Sequence, residues 1–264
     1  MKQRVITSIA IIAAVIPLFF FKQYFMALLM LVAILVTWEL NDLILSKKNP
    51  LLLLAIFGLI VGFGFDYIAE ANKLIVASSF LILFVLINLI YNEIKFNDLS
   101  LVYTISLLLG FALSALIFLY NTSILLVVYV ILVNYGSDAG AYLVGSKFGS
   151  RKLAPKISPN KTIEGSLGGI AFGAILGIGF GQLFLKDHMS FGILLIVSLI
   201  LPMISQMGDL FFSSIKRLYS KKDFGKIFPG HGGVLDRIDS LVFSLLFMII
   251  FIRLGFLGVF LWKI

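Results

Sequence analysis

The chain contains no cysteine, so disulfide bonds and thiolate metal sites are excluded. It also lacks any polar segment long enough to fold as a soluble domain. Of its 264 residues, 61% are hydrophobic, and the mean hydropathy is +1.10, whereas ordinary soluble domains are roughly 45–50% apolar. A soluble fold of this length could not bury so much apolar surface, so the composition indicates an integral membrane protein.

Nine apolar stretches are long enough, or nearly so, to cross a bilayer, which takes about 20 apolar residues per helix. The first could pass for a signal peptide, but no small-residue cleavage site follows it, so we predict a retained helix. The sequence therefore predicts an all-α, polytopic transmembrane helix bundle of about nine spans. They lie at about 5–21, 24–45, 51–68, 74–91, 101–119, 123–145, 164–185, 190–212 and 238–261.

The charges of the chain are unevenly distributed between the two sides of this bundle. The formal net charge is +8, which in a soluble protein could indicate nucleic-acid binding. In a membrane protein, basic residues gather in cytoplasmic loops and beside anionic lipid heads, so we expect no nucleic-acid partner. A cytoplasmic N-terminus and an outside C-terminus put most of the 21 Lys and Arg residues on the cytoplasmic side. The polar loops 146–163 and 213–237 then both face the cytoplasm.

Residues 213–239, called the basic segment below, combine positive charge, carboxylates and glycines between two apolar spans. Glycines around His231 let the backbone approach a ligand closely. Lysine and arginine suit a polyanion, and aspartate oxygens suit a hard cation. The segment therefore indicates phosphate chemistry at a membrane surface. Its charged residues are Lys216, Arg217, Lys221, Lys222, Asp223, Lys226, Asp236, Arg237 and Asp239.

Charged groups inside membrane spans are costly and usually functional. Three predicted spans carry such groups near their cytoplasmic ends, at Asp138, at Asp209 and at Asp236 with Asp239. If they converge, they could hold Mg²⁺, which takes one or two carboxylates and fills its shell with water and phosphate oxygens. The alternative is that each aspartate only pairs with a Lys or Arg. Polar neighbours on the same helix faces are Asn134, Tyr142, Gln206, Ser213 and Ser240.

The other polar loop leads into the span at 164–185. Ser158-Pro159 and its polar neighbours predict a turn there, and Glu164 would lie favourably in the first turn of the helix. A helix N-terminus beside Lys161 is a suitable anion site, although the loop could also be merely a solvated cytoplasmic one. The candidates for the helix cap are Ser158, Asn160 and Thr162.

Two further features have a structural and a functional interpretation. Glycines recur every four residues from Gly165 to Gly181, which makes a groove without side chains on one helix face. We interpret it as close packing inside the subunit, with a subunit interface as the main alternative. Glu39 and Asp42 lie near the cytoplasmic end of the span at 24–45. They could join the polar site or meet headgroup water, and the second interpretation is favoured.

The basic segment resembles the signature of the phosphatidate cytidylyltransferases, also called CDP-diacylglycerol synthases, with no departure from that pattern. Supporting matches at 138–145, 158–165 and 206–209 extend the resemblance over roughly 134–239. The family implies a reaction of CTP with phosphatidate that gives CDP-diacylglycerol and pyrophosphate. It also implies Mg²⁺, a second cation such as K⁺, and a membrane-helix fold that is usually dimeric.

The resemblance implies roles for individual residues. Asp209 and Asp236 correspond to the metal ligands, and Asp138 is a further candidate. Lys216, Arg217 and Asp239 complete the predicted catalytic set. Residues 131–264 would form the catalytic region, and residues 1–130 a scaffold of spans that faces lipid or a dimer partner. The predicted phosphate-binding residues are Lys161, Lys222, Arg237, His231, Ser158 and Thr162.

These residues predict a multi-pass enzyme of the cell membrane, with its site facing cytosolic CTP. The lipid phosphate itself can attack the α-phosphorus of CTP, so no protein nucleophile is needed. The leading alternative is an ion-coupled secondary transporter that uses Asp138 and Asp209, but it does not explain the basic segment. Another lipid-phosphate enzyme is the second alternative, either a CTP-dependent lipid kinase or a CDP-alcohol phosphotransferase. The latter needs Asp-Gly and Ala-Arg pairs that this sequence lacks.

Overall fold

The computed structural model describes residues 21–45, 49–65, 72–91, 94–186, 189–228 and 232–254. These residues form eight helices and one short β-hairpin. In chain order the elements are α1 (Lys22–Ile44), α2 (Pro50–Gly64), α3 (Lys73–Ile90), α4 (Phe96–Thr122), α5 (Ile124–Phe148), β1 (Lys152–Ala154), β2 (Ser158–Thr162), α6 (Ile163–Phe184), α7 (Phe191–Leu218) and α8 (Leu235–Arg253).

Each of the eight helices overlaps one of the second to ninth predicted spans, of which residues 66–68 and 255–261 lie outside the described residues. Six of the described helices, α1 and α3 to α7, are long and apolar enough to cross a membrane. At 15 residues α2 is too short for that criterion, and α8 carries charges in its first turns. The chain is thus a polytopic, mainly helical membrane protein. The predicted span at 5–21 lies outside the described residues, and the count of nine and the orientation stay predictions.

Three helix starts follow from capping side chains. Asn49 accepts hydrogen bonds from the amides of Leu51 at 3.0 Å and Leu52 at 3.1 Å, and Pro50 begins α2. Ser123 and Thr162 begin α5 and α6 in the same way. Such caps satisfy amide groups that have no partner inside the helix.

The loop before α6 is a hairpin rather than irregular chain. Its strands are antiparallel, with Lys152 opposite Thr162 and Ala154 opposite Ser158. The prediction of a turn at Ser158-Pro159 is wrong, because both residues belong to β2 and the turn lies at 155–157. A two-stranded sheet consists only of edge strands, where proline is tolerated.

The described chain divides into two compact units. The first contains the residues up to Ser114 together with Tyr219–Ile238, and the second contains Ala115–Leu218 and the residues from Asp239 onward. In the first unit α1 packs against α2, and α2 packs against α3. In the second, α6 packs against both α5 and α7.

The glycine face of α6 packs closely against its two neighbouring helices. A Cβ on Gly173 would lie 2.8 Å from Pro202 Cγ, and one on Gly177 would lie 2.8 Å from Ser198 Oγ. A Cβ on Gly165 would lie 2.8 Å from the carbonyl oxygen of Ala141. All of these neighbours belong to α5 or α7 of the same chain. The interpretation as packing inside the subunit is therefore confirmed.

Candidate active site

In the second unit, Asp209 lies inside α7 and forms an ion pair with Lys161 at the end of the hairpin. Each side chain is 27% exposed. Ser213, one turn further along α7, donates a hydrogen bond of 3.1 Å to the other carboxylate oxygen. The structure thus brings a predicted metal ligand and a predicted phosphate-binding lysine together. The pairing of an intramembrane aspartate with a basic side chain, which was the alternative interpretation, is present at this position.

A second ion pair joins α7 to α8 within this unit. The Nζ of Lys216 lies 3.6 Å from a carboxylate oxygen of Asp239, and the two side chains are only 9% and 11% exposed. A buried pair of charges costs solvation free energy, and removing one partner leaves an uncompensated charge. Two members of the predicted catalytic set therefore stabilise each other away from water.

The hairpin lies against the end of α7 through Arg217. Its Nε donates a hydrogen bond of 3.0 Å to the carbonyl oxygen of Ile157 in the hairpin turn. Thr162 is buried, and its hydroxyl accepts a hydrogen bond of 3.1 Å from the amide of Gly165. Of the three candidates, Thr162 is therefore the N-cap residue of α6. Ser158, the other predicted phosphate-binding hydroxyl here, is half-buried in β2.

Glu164 holds the start of the hairpin from the first turn of α6, as predicted for its position. It accepts hydrogen bonds from the amides of Ser150 at 3.1 Å and Arg151 at 3.2 Å. The Arg151 guanidinium adds an ion pair of 2.9 Å. These contacts fix the connection between α5 and α6, and with it the backbone that carries Lys161.

Two polar side chains near the candidate site tie helices together. Asn134 is fully buried on α5. Its amide donates to Ser240 at 3.0 Å and accepts from Ser244 at 2.8 Å. Gln206 donates to the Ser137 hydroxyl at 3.2 Å and accepts from the hydroxyl of Ser166. Paired buried amides of this kind specify how the helices align.

Asp138, the further metal candidate, is half-buried on α5. It lies one helical turn beyond Asn134, so the spacing on which the prediction depends is present in the structure.

In the first unit, Asp236 folds the end of the basic segment back on itself. One of its carboxylate oxygens accepts hydrogen bonds from the amides of Phe224 at 2.8 Å and Gly233 at 2.9 Å. Gly232 has a φ of +85°, a conformation that favours glycine, and a Cβ there would lie 2.8 Å from the same oxygen. The carbonyl oxygen of Gly232 accepts a hydrogen bond of 2.9 Å from the Phe228 amide.

Glu39, on α1, also binds this segment, and its preferred interpretation was wrong. It was expected to meet headgroup water, but it is 2% exposed. Its two oxygens accept hydrogen bonds from the amides of Val234 at 2.7 Å and Leu235 at 2.8 Å. Asp209 was identified because it is a charged residue in an apolar span. Glu39 has the same property, which could have identified it as well. Asp42, three residues on, is exposed, and its position at the headgroup level stays a prediction.

The beginning of Tyr219–Ile238 is fixed in a similar way. The Tyr219 hydroxyl donates a 2.6 Å bond to Asp98, and burial together with that carboxylate raises the pKa of the phenol. The Lys221 ammonium donates to the carbonyl oxygens of Asp42 at 2.5 Å and Leu43 at 3.3 Å, at the end of α1. Burial lowers the pKa of Lys221 from its ordinary value.

The remaining predicted site residues are either exposed or outside the described residues. Lys222, Asp223 and Arg237 are exposed, whereas His231 falls outside the described residues. Within the described ranges no group of three or more His, Asp or Glu side chains could hold a metal ion together. Mg²⁺ needs only one or two carboxylates, so the donor type of Asp209 and Asp236 fits that cation.

Comparison with known proteins agrees with these features. The model described as the cytidylyltransferase family matches residues 2–255. A phosphatidate cytidylyltransferase of Bacillus subtilis (strain 168) is 33% identical over 261 residues, which cover 94% of this chain and 96% of that protein. Proteins of the same name from Staphylococcus epidermidis and Staphylococcus aureus (strain COL) are 45% and 47% identical over 119 residues, which is 45% of this chain and of each relative. The chain therefore belongs to the cytidylyltransferase family.

Proposed function

We propose that this protein transfers the cytidylyl group of CTP to phosphatidate, giving CDP-diacylglycerol and pyrophosphate. The observation that carries the proposal is the match, along nearly the whole chain, to a protein named phosphatidate cytidylyltransferase. The geometry supports it, because a hairpin lysine and a helix lysine each form an ion pair with an aspartate of an apolar helix. Family membership also favours a transferase over the ion-coupled transporter.

The reaction needs positive charge more than it needs a protein nucleophile. A phosphate oxygen of the lipid attacks the α-phosphorus of CTP. A new P–O bond forms, and the bond from that phosphorus to the bridging oxygen breaks, so that pyrophosphate leaves with the electron pair. Both reactants are anions, so their repulsion must be offset. Lys161 and Lys216 each lie beside a carboxylate, and we assign them to the phosphates together with Arg217, Lys222 and Arg237.

We propose Asp209 and Asp236 as the residues that hold Mg²⁺, with Asp138 as a further candidate. Carboxylate oxygens are the ligands that this cation prefers. When bound, Mg²⁺ would neutralise charge on the attacking and leaving oxygens. A second cation such as K⁺ is part of the same proposal. Two backbone amides hold the Asp236 carboxylate in one orientation. Little further side-chain entropy would therefore be lost when it binds a cation.

The substrates set the place of the reaction. Phosphatidate carries its phosphate at the headgroup plane, and CTP is cytosolic. We therefore propose a cell-membrane protein with its active site at the cytoplasmic face, as the distribution of Lys and Arg predicts. We also propose a homodimer, which cross-linking of the protein in its native membrane would test. A monomer at every cross-linker concentration would contradict it.

The deciding assay uses two labels on CTP. Purified protein is mixed with phosphatidate, Mg²⁺ and CTP labelled either on the α- or on the γ-phosphate. We expect the α label in the lipid fraction and the γ label in pyrophosphate, in equal amounts. Entry of the γ label into lipid would indicate a kinase, and no label in lipid with either substrate would overturn the proposal. Diacylglycerol in place of phosphatidate is the matched control and should give no product.

A further inference from the structure

Glu39 is a buried carboxylate that the proposed chemistry does not use. It lies on α1, 195 residues before Val234 in sequence, and only 2% of it is exposed. A carboxylate buried in an apolar helix is expensive unless its oxygens are well bonded. Both oxygens of Glu39 accept hydrogen bonds from backbone amides of the segment that carries Asp236.

Those amides belong to the start of α8. The first amides of a helix have no partner inside it, and they give the helix N-terminus a partial positive charge. Gly233 donates to Asp236, Val234 donates to one oxygen of Glu39, and Leu235 donates to the other. Two carboxylates thus bind three consecutive amides. Asp236 belongs to α8 itself, whereas Glu39 belongs to α1. Glu39 therefore caps the N-terminus of α8 from a distant part of the sequence.

Two glycines show how closely the backbone packs on this carboxylate. A Cβ on Gly225 would lie 2.5 Å from Oε1 of Glu39 and 2.9 Å from its Cδ. A Cβ on Gly233 would also overlap the carboxylate. Real Cβ atoms do not approach other atoms so closely, so both positions require glycine while Glu39 keeps its place. Two separate glycines of the basic segment therefore pack directly against the Glu39 carboxylate.

We propose that Glu39 is a positioning residue for cytidylyl transfer, which holds the turn before α8 and thereby fixes Asp236. This inference rests on the proposed function. Glu39 acts through the backbone of residues 233–235, so it is not itself a catalytic residue. Glutamine cannot replace it, because its NH₂ group would face one of the two backbone amides, donor against donor. Aspartate keeps the charge but is one methylene shorter, so it cannot reach both amides equally.

The first test compares Glu39→Gln with Asp42→Asn, a carboxylate-to-amide change at an exposed site on the same helix. We expect Glu39→Gln to lower kcat roughly 10- to 100-fold and to raise the Mg²⁺ concentration for half-maximal activity. That is the range found when a partner that orients a metal ligand is lost. Asp42→Asn should stay within about twofold of wild type. Wild-type kcat and Mg²⁺ dependence in Glu39→Gln would overturn the inference, as would a fall in folded protein with unchanged kcat per folded molecule.

A second readout does not depend on turnover. Lys222 and Lys226 are exposed trypsin sites within the segment that Glu39 holds. In Glu39→Gln we expect faster cleavage there than in wild type or Asp42→Asn, because the turn is held by fewer hydrogen bonds. Equal cleavage rates in all three proteins would contradict a positioning role. If wild type itself makes no CDP-diacylglycerol, the proposed function fails, whereas the proteolysis result still decides whether Glu39 holds the segment.

A double-mutant cycle covers the case in which Glu39→Gln does not fold. Gly225→Ala pushes a methyl group against the carboxylate, and Glu39→Asp withdraws the carboxylate by one methylene. If the two groups press on each other as described, the double variant should be more active than Gly225→Ala alone. Contacting residues give such non-additive effects, whereas independent ones add. Strict additivity would show that the glycine does not act through Glu39.

Discussion

Replacing Lys216 by methionine should destabilise the protein as well as inactivate it. The methionine keeps an apolar stem of similar length but leaves Asp239 without its ion pair. The two charges lie 3.6 Å apart and are 9% and 11% exposed. At that separation and an effective dielectric constant of about 20, unit charges attract each other by about 5 kcal/mol. Removing one partner of a buried pair typically costs about 3–5 kcal/mol.

A loss of that size is easily measured by thermal unfolding in detergent. For a domain of about 150–250 residues, each kcal/mol shifts the Tm by roughly 2–4 °C, so we expect a fall on the order of 10 °C. Asp239→Asn should show a fall of the same kind. The matched control is Lys222→Met, which removes an exposed lysine nearby in sequence and should change the Tm by no more than about 2 °C.

The double variant Lys216→Met, Asp239→Leu separates stability from chemistry. Replacing a buried ion pair by apolar side chains is often neutral or stabilising, so the double variant should recover most of the lost Tm while staying inactive. If both single variants melt within about 2 °C of wild type, the ion pair between Lys216 and Asp239 does not stabilise the fold. Recovery of activity in the double variant would remove both residues from the predicted catalytic set.

Three further predictions concern the second unit and the metal. Asp209→Asn should abolish turnover with little change in Tm, because its ion pair with Lys161 is partly exposed and such pairs contribute about 0–1 kcal/mol; near-normal activity would exclude a metal role. Thr162→Ala should lower the stability by about 1 kcal/mol through loss of the α6 cap, whereas Thr162→Ser, which keeps the hydroxyl, should not. Chelation with EDTA should stop the release of pyrophosphate and added Mg²⁺ should restore it; activity that persists after exhaustive chelation would contradict a metal requirement.

Helix positions could be predicted from the sequence because the apolar runs are long and their ends are polar. The cap at Thr162 and the packing role of the α6 glycines were also accessible, since each depends on neighbours close in sequence or on a regular spacing. The β-hairpin could not be predicted, because strands of three and five residues are too short to show an alternation of apolar and polar residues.

Glu39 was misjudged for a different reason. Its partners are backbone amides of Val234 and Leu235, which carry no side-chain signal and lie far away in the sequence. The pairing of Lys216 with Asp239 is comparable, because each residue was identified but nothing in the sequence said which lysine meets which aspartate. Contacts between distant segments are what the fold adds to a list of candidate residues.

The packing of α5 on α6 has a consequence for how the chain enters the membrane. Gly136 faces Leu176 and Gly140 faces Phe172, so the partner's number falls as the residue number rises, and the two helices run in opposite directions. Only the short β-hairpin connects them, so little chain entropy is lost when they meet. Lipid offers no hydrophobic drive for helix association, and close backbone approach supplies van der Waals attraction instead. These two helices can therefore associate as soon as both are in the membrane, before α7 and α8 follow.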